Sequence, residues 1–209
     1  MRLFASLFIV CCLGLGAIFL QTDGFTVLTS EAARRADIMR VPQSMPDAPL
    51  QASDGADTTL LRDLRADGRI TIVNFMYTRC FSVCLAMGTQ FQQLQEGIQR
   101  QGLSDKVRLL SLSFDGTDTP ELLRRYEQRL HAVPAIWRSM GIEGDAPREA
   151  LLDAFGIVVV PAPLGQYEHN AAFHIVTPDG RLVRIVDIED THALLDHAVS
   201  AAEKRASHG

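Results

Sequence analysis

The stretch from Arg69 to Cys84 constrains the fold more than any other part of the chain. A run of apolar and β-branched residues from Ile70 to Phe75 predicts a buried strand. Two cysteines, Cys80 and Cys84, follow a short polar break, and the sequence from Leu85 to Ile98 predicts a helix. Cysteines four residues apart would lie on one helix face, and a helix N-terminus favours the thiolate form. The stretch therefore predicts either a reactive dithiol or two packed core cysteines.

Residues 1–22 predict a transmembrane anchor or a signal. Arg2 precedes an uncharged run from Leu3 to Leu20, which is at the lower length limit for a membrane span. No small-residue cleavage pattern follows this run, so the sequence favours an uncleaved anchor. The basic start predicts that the N-terminus stays inside and that the soluble domain lies outside the cytoplasm, on the periplasmic side in a bacterium.

The predicted export of the domain limits which of the four cysteines can act together. Cys11 and Cys12 lie in the apolar segment, so the exported part holds only Cys80 and Cys84. A disulfide between residues this close would close a very short loop and stabilise the fold little. The pair is therefore predicted to bind a metal or to take part in redox reactions, and not to form a structural disulfide.

Composition excludes nucleic acid as a partner and outlines the domains. The formal net charge is −5 over 209 residues, whereas nucleic-acid binding needs a concentrated basic surface. Residues 23–45 are polar and are predicted to be a tether. Pro42, Pro46 and Pro49 mark the edge of one domain, predicted over residues 46–205.

The order of the remaining elements predicts an α/β fold. Lys106 to Phe114 predicts a second buried strand, and Thr119 and Pro120 suit the N-cap and first position of a helix. Residues 134–146 predict irregular structure, 147–155 a helix and 156–160 a β-branched strand. Two strands around the turn at residues 177–180 and a final helix over 191–204 complete the chain. This is a thioredoxin-like layout, with a central mixed sheet flanked by helices.

Three blocks of sequence resemble the Sco/SenC family. They are Thr78–Cys84, Ser113–Asp115 before Asp118–Pro120, and Tyr167–His169 before Thr177–Gly180. The resemblance spans roughly residues 46–203 and implies a membrane-anchored copper protein that assists assembly of the CuA centre of cytochrome c oxidase. It implies that copper is held by Cys80, Cys84 and His169. The implied partners are a copper-receiving oxidase subunit, a thiol reductant protein and, through the N-terminal helix, the membrane.

The sequence departs from the family pattern beside these residues. Phe81 and Leu85 stand where the family commonly has prolines, and Glu168 stands where it usually has Asp. The loop between the cysteines is therefore less restrained and more apolar. We expect this to change the metal affinity and the choice of partner more than the set of ligands. Two thiolates and an imidazole suit copper. Zinc would also accept them, with water as a fourth ligand.

Other side chains compete for a place in the site. His174 would point to the opposite face from His169 if both lay in one strand, and we expect it to be packed. Met76 and Met87 flank the cysteines and are expected to be core residues. The other histidines are expected to be solvent-facing or capping: His131, His192, His197 and His208.

Several functions stay open on the sequence alone. The leading one is a copper chaperone without catalytic turnover. The alternative is a thiol–disulfide oxidoreductase with Cys80 and Cys84 as its redox pair. A peroxidase in which Cys80 attacks and Cys84 resolves ranks lowest, and a copper- or redox-dependent sensor would use the same residues.

Overall fold

The structure, a computed structural model, describes Gly14 and residues 30–80, 83–188 and 190–207. The chain divides between Val41 and Pro42 into two units. In the first, helix α1 (Ser30–Arg40) is stabilised by a hydrogen bond of 3.0 Å from Arg35 Nε to Glu31 Oε1. No helix in the described ranges is long and apolar enough to cross a membrane. The anchor predicted for residues 1–22 lies outside the described residues, apart from Gly14.

Strands and helices alternate through the second unit. Its strands are β1 Gln43–Ser44, β2 Pro49–Ala52, β3 Asp57–Thr59, β4 Ile70–Met76, β5 Val107–Ser113, β6 Trp137–Ile142, β7 Val159–Ala162, β8 Gln166–His169, β9 Ala172–Val176 and β10 Arg181–Asp187. Its helices are α2 Leu60–Asp67, α3 Val83–Arg100, α4 Pro120–Arg129, α5 Asp145–Phe155 and α6 Thr191–Ala206, and a 3₁₀ turn covers Pro163–Gly165.

Eight of these strands form one mixed sheet in the order β1-β10-β9-β4-β5-β6-β2-β3. The central strands β4, β5 and β6 are parallel, and the strands on either side of them pair antiparallel. Strands β7 and β8 form a separate antiparallel pair, Val159–His169, which we call the hairpin. The predicted α/β class, with a central mixed sheet flanked by helices, is confirmed.

The core forms on both faces of the central strands. Every residue of β4 and β5 is buried, and apolar residues predominate in both strands although Arg108, Ser111 and Ser113 lie within β5. On one face, Phe91 of α3 packs against Trp137 and Phe173, with ring centroids 5.4 Å apart in each case. On the opposite face, buried Arg108 donates from Nη2 to Asp63 Oδ2 at 2.7 Å and ties α2 to the sheet.

The prediction of irregular structure for residues 134–146 is wrong in its central part, because β6 lies there. Arg138, Ser139 and Gly141 interrupt the apolar run, so the sequence pattern does not show a strand. Long-range pairing creates it instead. Strand β6 lies parallel to β5 on one side and antiparallel to β2 on the other.

Local signals at turns and caps are confirmed. Thr119 caps α4 by accepting a hydrogen bond of 3.4 Å from the Leu122 N–H, and Pro120 is the first helical residue. The turn at residues 177–180 joins β9 to β10. Gly180 has a φ of 80°, and a Cβ at this position would collide with Leu61. Turn chemistry of this kind depends on near neighbours in sequence, which is why it could be predicted.

Candidate functional site

The candidate site lies where β4 and β5 end. The loop after β4 carries Thr78, Arg79 and Cys80, and the loop after β5 carries Asp115 and Asp118. Parallel neighbouring strands end at the same edge of a sheet, so the two loops lie side by side.

Asp118 anchors the loop of the first cysteine. Its Oδ2 accepts from the Thr78 N–H at 2.8 Å and from Ser113 Oγ at 2.6 Å, and its Oδ1 accepts from Thr78 Oγ1 at 2.5 Å. All three residues are buried, so these donors replace the water that the carboxylate loses on folding. Thr78 lies two residues before Cys80, and Asp118 therefore fixes the backbone that leads to the thiol.

A second contact joins the same two loops at the surface. Arg79 Nη2 donates to Asp115 Oδ2 at 2.7 Å, while the Thr117 N–H donates to Oδ1 at 2.9 Å. The Asp115 side chain is 1% exposed and that of Arg79 is 47% exposed. Burial alone would raise the pKa of Asp115, but the hydrogen bonds from Arg79 and Thr117 outweigh it and hold the pKa below 3.8. The carboxylate therefore stays charged near neutral pH and holds the guanidinium of Arg79, the residue before Cys80.

Cys80 lies in the loop before α3 and not in the helix. It is 7% exposed, and its N–H donates to the Tyr77 carbonyl oxygen at 3.3 Å. The expectation that both cysteines share a helix face is therefore wrong for Cys80. Helix α3 begins at Val83, which places Cys84 in its first turn, where the helix dipole favours a thiolate. The side chain of Cys84 lies outside the described residues, as does Phe81.

His169 is the last residue of β8 and carries its ring in a defined tautomer. Its Nδ1 lies 2.9 Å from the Asn170 carbonyl oxygen. A carbonyl oxygen only accepts, so Nδ1 must hold the proton in this bond and Nε2 of the neutral ring carries the lone pair. Burial lowers the pKa of His169 below 6.5, against a smaller opposing effect of the Asn170 hydrogen bond. The imidazole is therefore neutral at pH 7, which is the form that binds metals.

An aromatic cluster connects the loop of Cys80 to the strand of His169. The Tyr77 ring packs against Phe114 and Tyr167 at centroid distances of 5.4 and 5.3 Å. The Phe114 ring also meets the His169 ring, 5.1 Å away and edge-on. These contacts bring the strand of His169 to the end of the sheet at which Cys80 lies.

The predicted three-ligand set stays a prediction. Among the described side chains, no group of three or more His, Cys, Asp or Glu residues could hold a metal ion. One member of the predicted set, Cys84, has its side chain outside the part that the structure describes. Of the other two members, Cys80 is joined to His169 through Tyr77 and the aromatic cluster.

His174 is a core residue, as expected. It is buried on β9, and its ring meets Phe75 and Phe155 edge-on at 5.8 and 5.0 Å. His169 and His174 do not share a strand, because β8 and β9 are separate strands in different sheets, so the argument from opposite faces of one strand does not apply to them. Met76 and Met87 are buried, in line with their expected core role.

The remaining histidines make no contact with the aromatic cluster that the structure records, or lie outside the described residues. His131 is exposed, and His197 Nε2 lies 3.1 Å from Arg184 Nη1. The side chain of His192 and the whole of His208 lie outside the described residues.

Sequence reasoning missed two residues that shape the site, Asp118 and Tyr77. Asp118 belongs to one of the three sequence blocks that resemble the Sco/SenC family. No residue near it in sequence indicates that it binds Thr78, which lies 40 positions earlier. Tyr77 reads as one more apolar residue after β4, and its contacts with Gln166 and Tyr167 span about 90 positions. Neither contact leaves a periodic signal that a sequence could show.

A family model and a curated relative match this chain. The SCO1/SenC family model matches residues 53–203. A SCO1 protein homolog from Bacillus subtilis (strain 168) is 26% identical over 137 residues, which cover 64% of this chain and 68% of that protein.

Solved structures share the fold. BsSco, a member of the Sco family of cytochrome c oxidase assembly proteins in which a disulfide switch was identified, superposes with a TM-score of 0.66 at 22% identity. The match covers 78% of this chain and 95% of that one. ScoI from Bradyrhizobium japonicum with copper bound gives a TM-score of 0.59 at 23% identity, over 78% and 99% of the two chains. At these identities the likeness establishes the thioredoxin-like fold.

Proposed function

Because the chain belongs to the SCO1/SenC family, we propose that it binds copper through Cys80, Cys84 and His169 and assists assembly of the CuA centre of cytochrome c oxidase. Copper is then the cargo of the protein, and its delivery to an oxidase subunit requires no catalytic turnover. Two relatives support the proposal, since one was solved with copper bound and another belongs to a family of cytochrome c oxidase assembly proteins.

The state of His169 is the observation that carries this proposal. Its Nδ1 donates to the Asn170 carbonyl oxygen and burial lowers its pKa, so the neutral ring carries its lone pair on Nε2. A backbone carbonyl that orients the second nitrogen is the usual arrangement around a metal-binding histidine. His174 also has a ring nitrogen beside a backbone carbonyl, but it is buried in the core between Phe75 and Phe155, away from the Cys80 loop.

The donor atoms fit copper. Thiolate sulfur and imidazole nitrogen are soft to borderline ligands, and three of them leave room for a donor from a partner during exchange. Zinc would accept the same set. A titration must therefore compare the two metals.

The proposed location is an interpretation of the sequence and is consistent with a role in oxidase assembly. We propose that residues 1–22 anchor the chain in the membrane, with residues 23–45 as a tether and residues 46–205 as the domain outside the cytoplasm. One solved structure that this chain resembles, with a TM-score of 0.62 at 22% identity, is that of a SCO1/SenC family lipoprotein from Bacillus anthracis str. Ames.

Copper titration of the reduced full chain tests the ligand assignment. We expect about one copper per chain and a loss of affinity of at least about 100-fold in His169→Ala, because changes in the second shell of a metal alone cost about 10- to 100-fold. His131→Asn is the matched control, since His131 is exposed and asparagine tolerates its φ of 52°. Equal copper affinities of His169→Ala and His131→Asn would contradict the assignment.

A thiol–disulfide oxidoreductase is the second candidate, favoured by the disulfide switch of BsSco. In this function Cys80 and Cys84 would give two electrons and two protons to a partner's disulfide and become a disulfide themselves. A thiol reductant protein would then restore them. The two functions are compatible, because an oxidised pair has no thiolates for copper.

Exchange kinetics separate the two candidates. We expect the oxidoreductase to reduce a model disulfide rapidly and to keep that rate in His169→Ala, because a thiol exchange needs no imidazole ligand. A copper chaperone should exchange slowly and lose copper affinity in the same variant. Rapid exchange together with unchanged copper binding in His169→Ala would favour the oxidoreductase.

A further inference from the structure

The hairpin that carries His169 is attached to the domain mainly by side chains. Its two strands pair with each other and, within the described residues, with no strand of the main sheet. Its outer surface is exposed, with Leu164 at the tip 98% exposed. Only Asn170 and Ala171 separate His169 from β9 of the main sheet, but no ladder to that sheet holds the hairpin itself within the described residues. Side-chain contacts must therefore set how the hairpin lies against the Cys80 loop.

The hydroxyl of Tyr77 supplies such a contact. It accepts from the Tyr167 N–H at 3.1 Å, and it lies 3.2 Å from the Tyr167 carbonyl oxygen and 3.1 Å from Gln166 Oε1, to either of which it can donate. Both main-chain groups of Tyr167 thus meet the Tyr77 hydroxyl, on the side of β8 that pairs with no other strand of the described residues.

Tyr77 joins both halves of the proposed site. Its carbonyl oxygen accepts from the Cys80 N–H at 3.3 Å, while its hydroxyl holds the strand that ends in His169. Its ring is buried against Phe114 and Tyr167, so the hydroxyl cannot easily swing away. A displacement of this one side chain would change the separation between the first cysteine and the histidine.

We propose that Tyr77 is a positioning residue whose hydroxyl fixes the hairpin, and with it His169, against the Cys80 loop. The inference rests on the proposed copper site and deepens it, because the residue sets how well the imidazole reaches a metal held by the cysteines. Phenylalanine would keep the ring packing and remove the bonds to β8. Tyr77→Phe therefore isolates the hydroxyl.

The first experiment needs no copper. In the reduced, metal-free full chain, amide hydrogen exchange at Tyr167 reports the bond to the Tyr77 hydroxyl directly. We expect exchange about 10-fold faster in Tyr77→Phe, which corresponds to about 1.4 kcal/mol less protection. Tyr126→Phe is the matched control, because it also removes a buried tyrosine hydroxyl but lies on α4 against Trp137. Unchanged exchange at Tyr167 would overturn the inference.

The second experiment is a double-mutant cycle on copper affinity. Tyr77→Phe should weaken copper binding about 10-fold in the wild-type background. In the His169→Ala background it should weaken binding less than about 2-fold, because the hydroxyl affects copper only by positioning His169. An equal loss in both backgrounds would overturn the inference. So would the loss of a cooperative urea transition in Tyr77→Phe, since the hydroxyl would then support the whole domain.

The two proposals fail in different ways. If His169→Ala itself leaves copper affinity unchanged, the ligand assignment is wrong, and Tyr167 exchange still decides whether the hydroxyl holds the hairpin. If His169→Ala weakens copper binding while Tyr77→Phe does not, the ligand assignment stands and the positioning role is refuted.

Discussion

Replacing Asp118 gives the sharpest test of how the cysteine loop is held. Asp118→Ala leaves three buried donors without their acceptor, of which the hydroxyls of Thr78 and Ser113 can rotate and the Thr78 N–H cannot. Hydrogen bonds to a charged group contribute about 1.5–3 kcal/mol each, and an orphaned buried donor costs about 1–3 kcal/mol. We therefore expect the free energy of unfolding to fall by about 3–5 kcal/mol.

Asp118→Asn should cost much less, although it removes the same charge. The amide oxygen can take the place of Oδ2 and accept from the Thr78 N–H and Ser113 Oγ. The amide NH₂ can then donate to Thr78 Oγ1, because a hydroxyl accepts as well as donates. Only the charge assistance is lost, and we expect a decrease of about 1 kcal/mol.

Urea unfolding of the reduced protein measures both variants. If the slope of the unfolding free energy against urea concentration is the same in each variant, a shift of the urea midpoint reports a change in stability alone. Glu121→Ala is the control, since this exposed carboxylate pairs with Arg124 and Arg125 at 2.6 and 2.9 Å and such surface pairs contribute at most about 1 kcal/mol. The reasoning is refuted if Asp118→Ala is no less stable than Asp118→Asn or than Glu121→Ala.

Two further predictions concern the pH dependence and the core. The pKa of Asp115 is lower in the folded state than its ordinary value of 3.8, so its stabilising effect is complete well above pH 3.8 and is lost as the pH falls below 3.8 through the lower pKa of the folded state. The urea midpoints of wild type and Asp115→Asn should therefore approach each other from pH 6 to pH 2.5, and a constant difference would contradict this. Phe155 is fully buried and meets Phe75 at 5.0 Å, so Phe155→Ala should lower the free energy of unfolding by about 3–5 kcal/mol. Thermal unfolding would check it beside Leu164→Ala, whose exposed side chain should matter little, and equal stabilities would contradict the assigned core.

Local patterns in the sequence predicted the elements that local physics determines. The buried strands β4 and β5 are rich in apolar residues, with the pair Leu109 and Leu110 at the centre of β5. The N-cap at Thr119 and the turn before Arg181 depend on residues that are close in sequence. Strand β6 could not be found in this way, because Arg138, Ser139 and Gly141 hide it and pairing with β5 and β2 creates it.

The sequence indicated the ligand residues of the candidate site, which stay a prediction, but not the contacts that support them. The resemblance of three sequence blocks indicated Cys80 and His169, and the structure joins their segments through Tyr77, Phe114 and Tyr167. The bond from Asp118 to Thr78 and the bonds from Tyr77 to β8 join positions 40 and about 90 residues apart. One sequence carries no signal for such pairs, because each partner is ordinary in its own neighbourhood.

The strand order has a consequence for the behaviour of the protein in concentrated solution. Both edges of the eight-stranded sheet end in very short strands, β1 with two residues and β3 with three. Next to β1, strand β10 is irregular between Leu182 and Arg184 and carries charges at Arg181, Arg184 and Asp187. Short edges, irregular pairing and charged side chains all hinder the addition of a strand from another molecule. The sheet is therefore a poor template for aggregation, and the domain can remain dispersed while a different surface meets its partners.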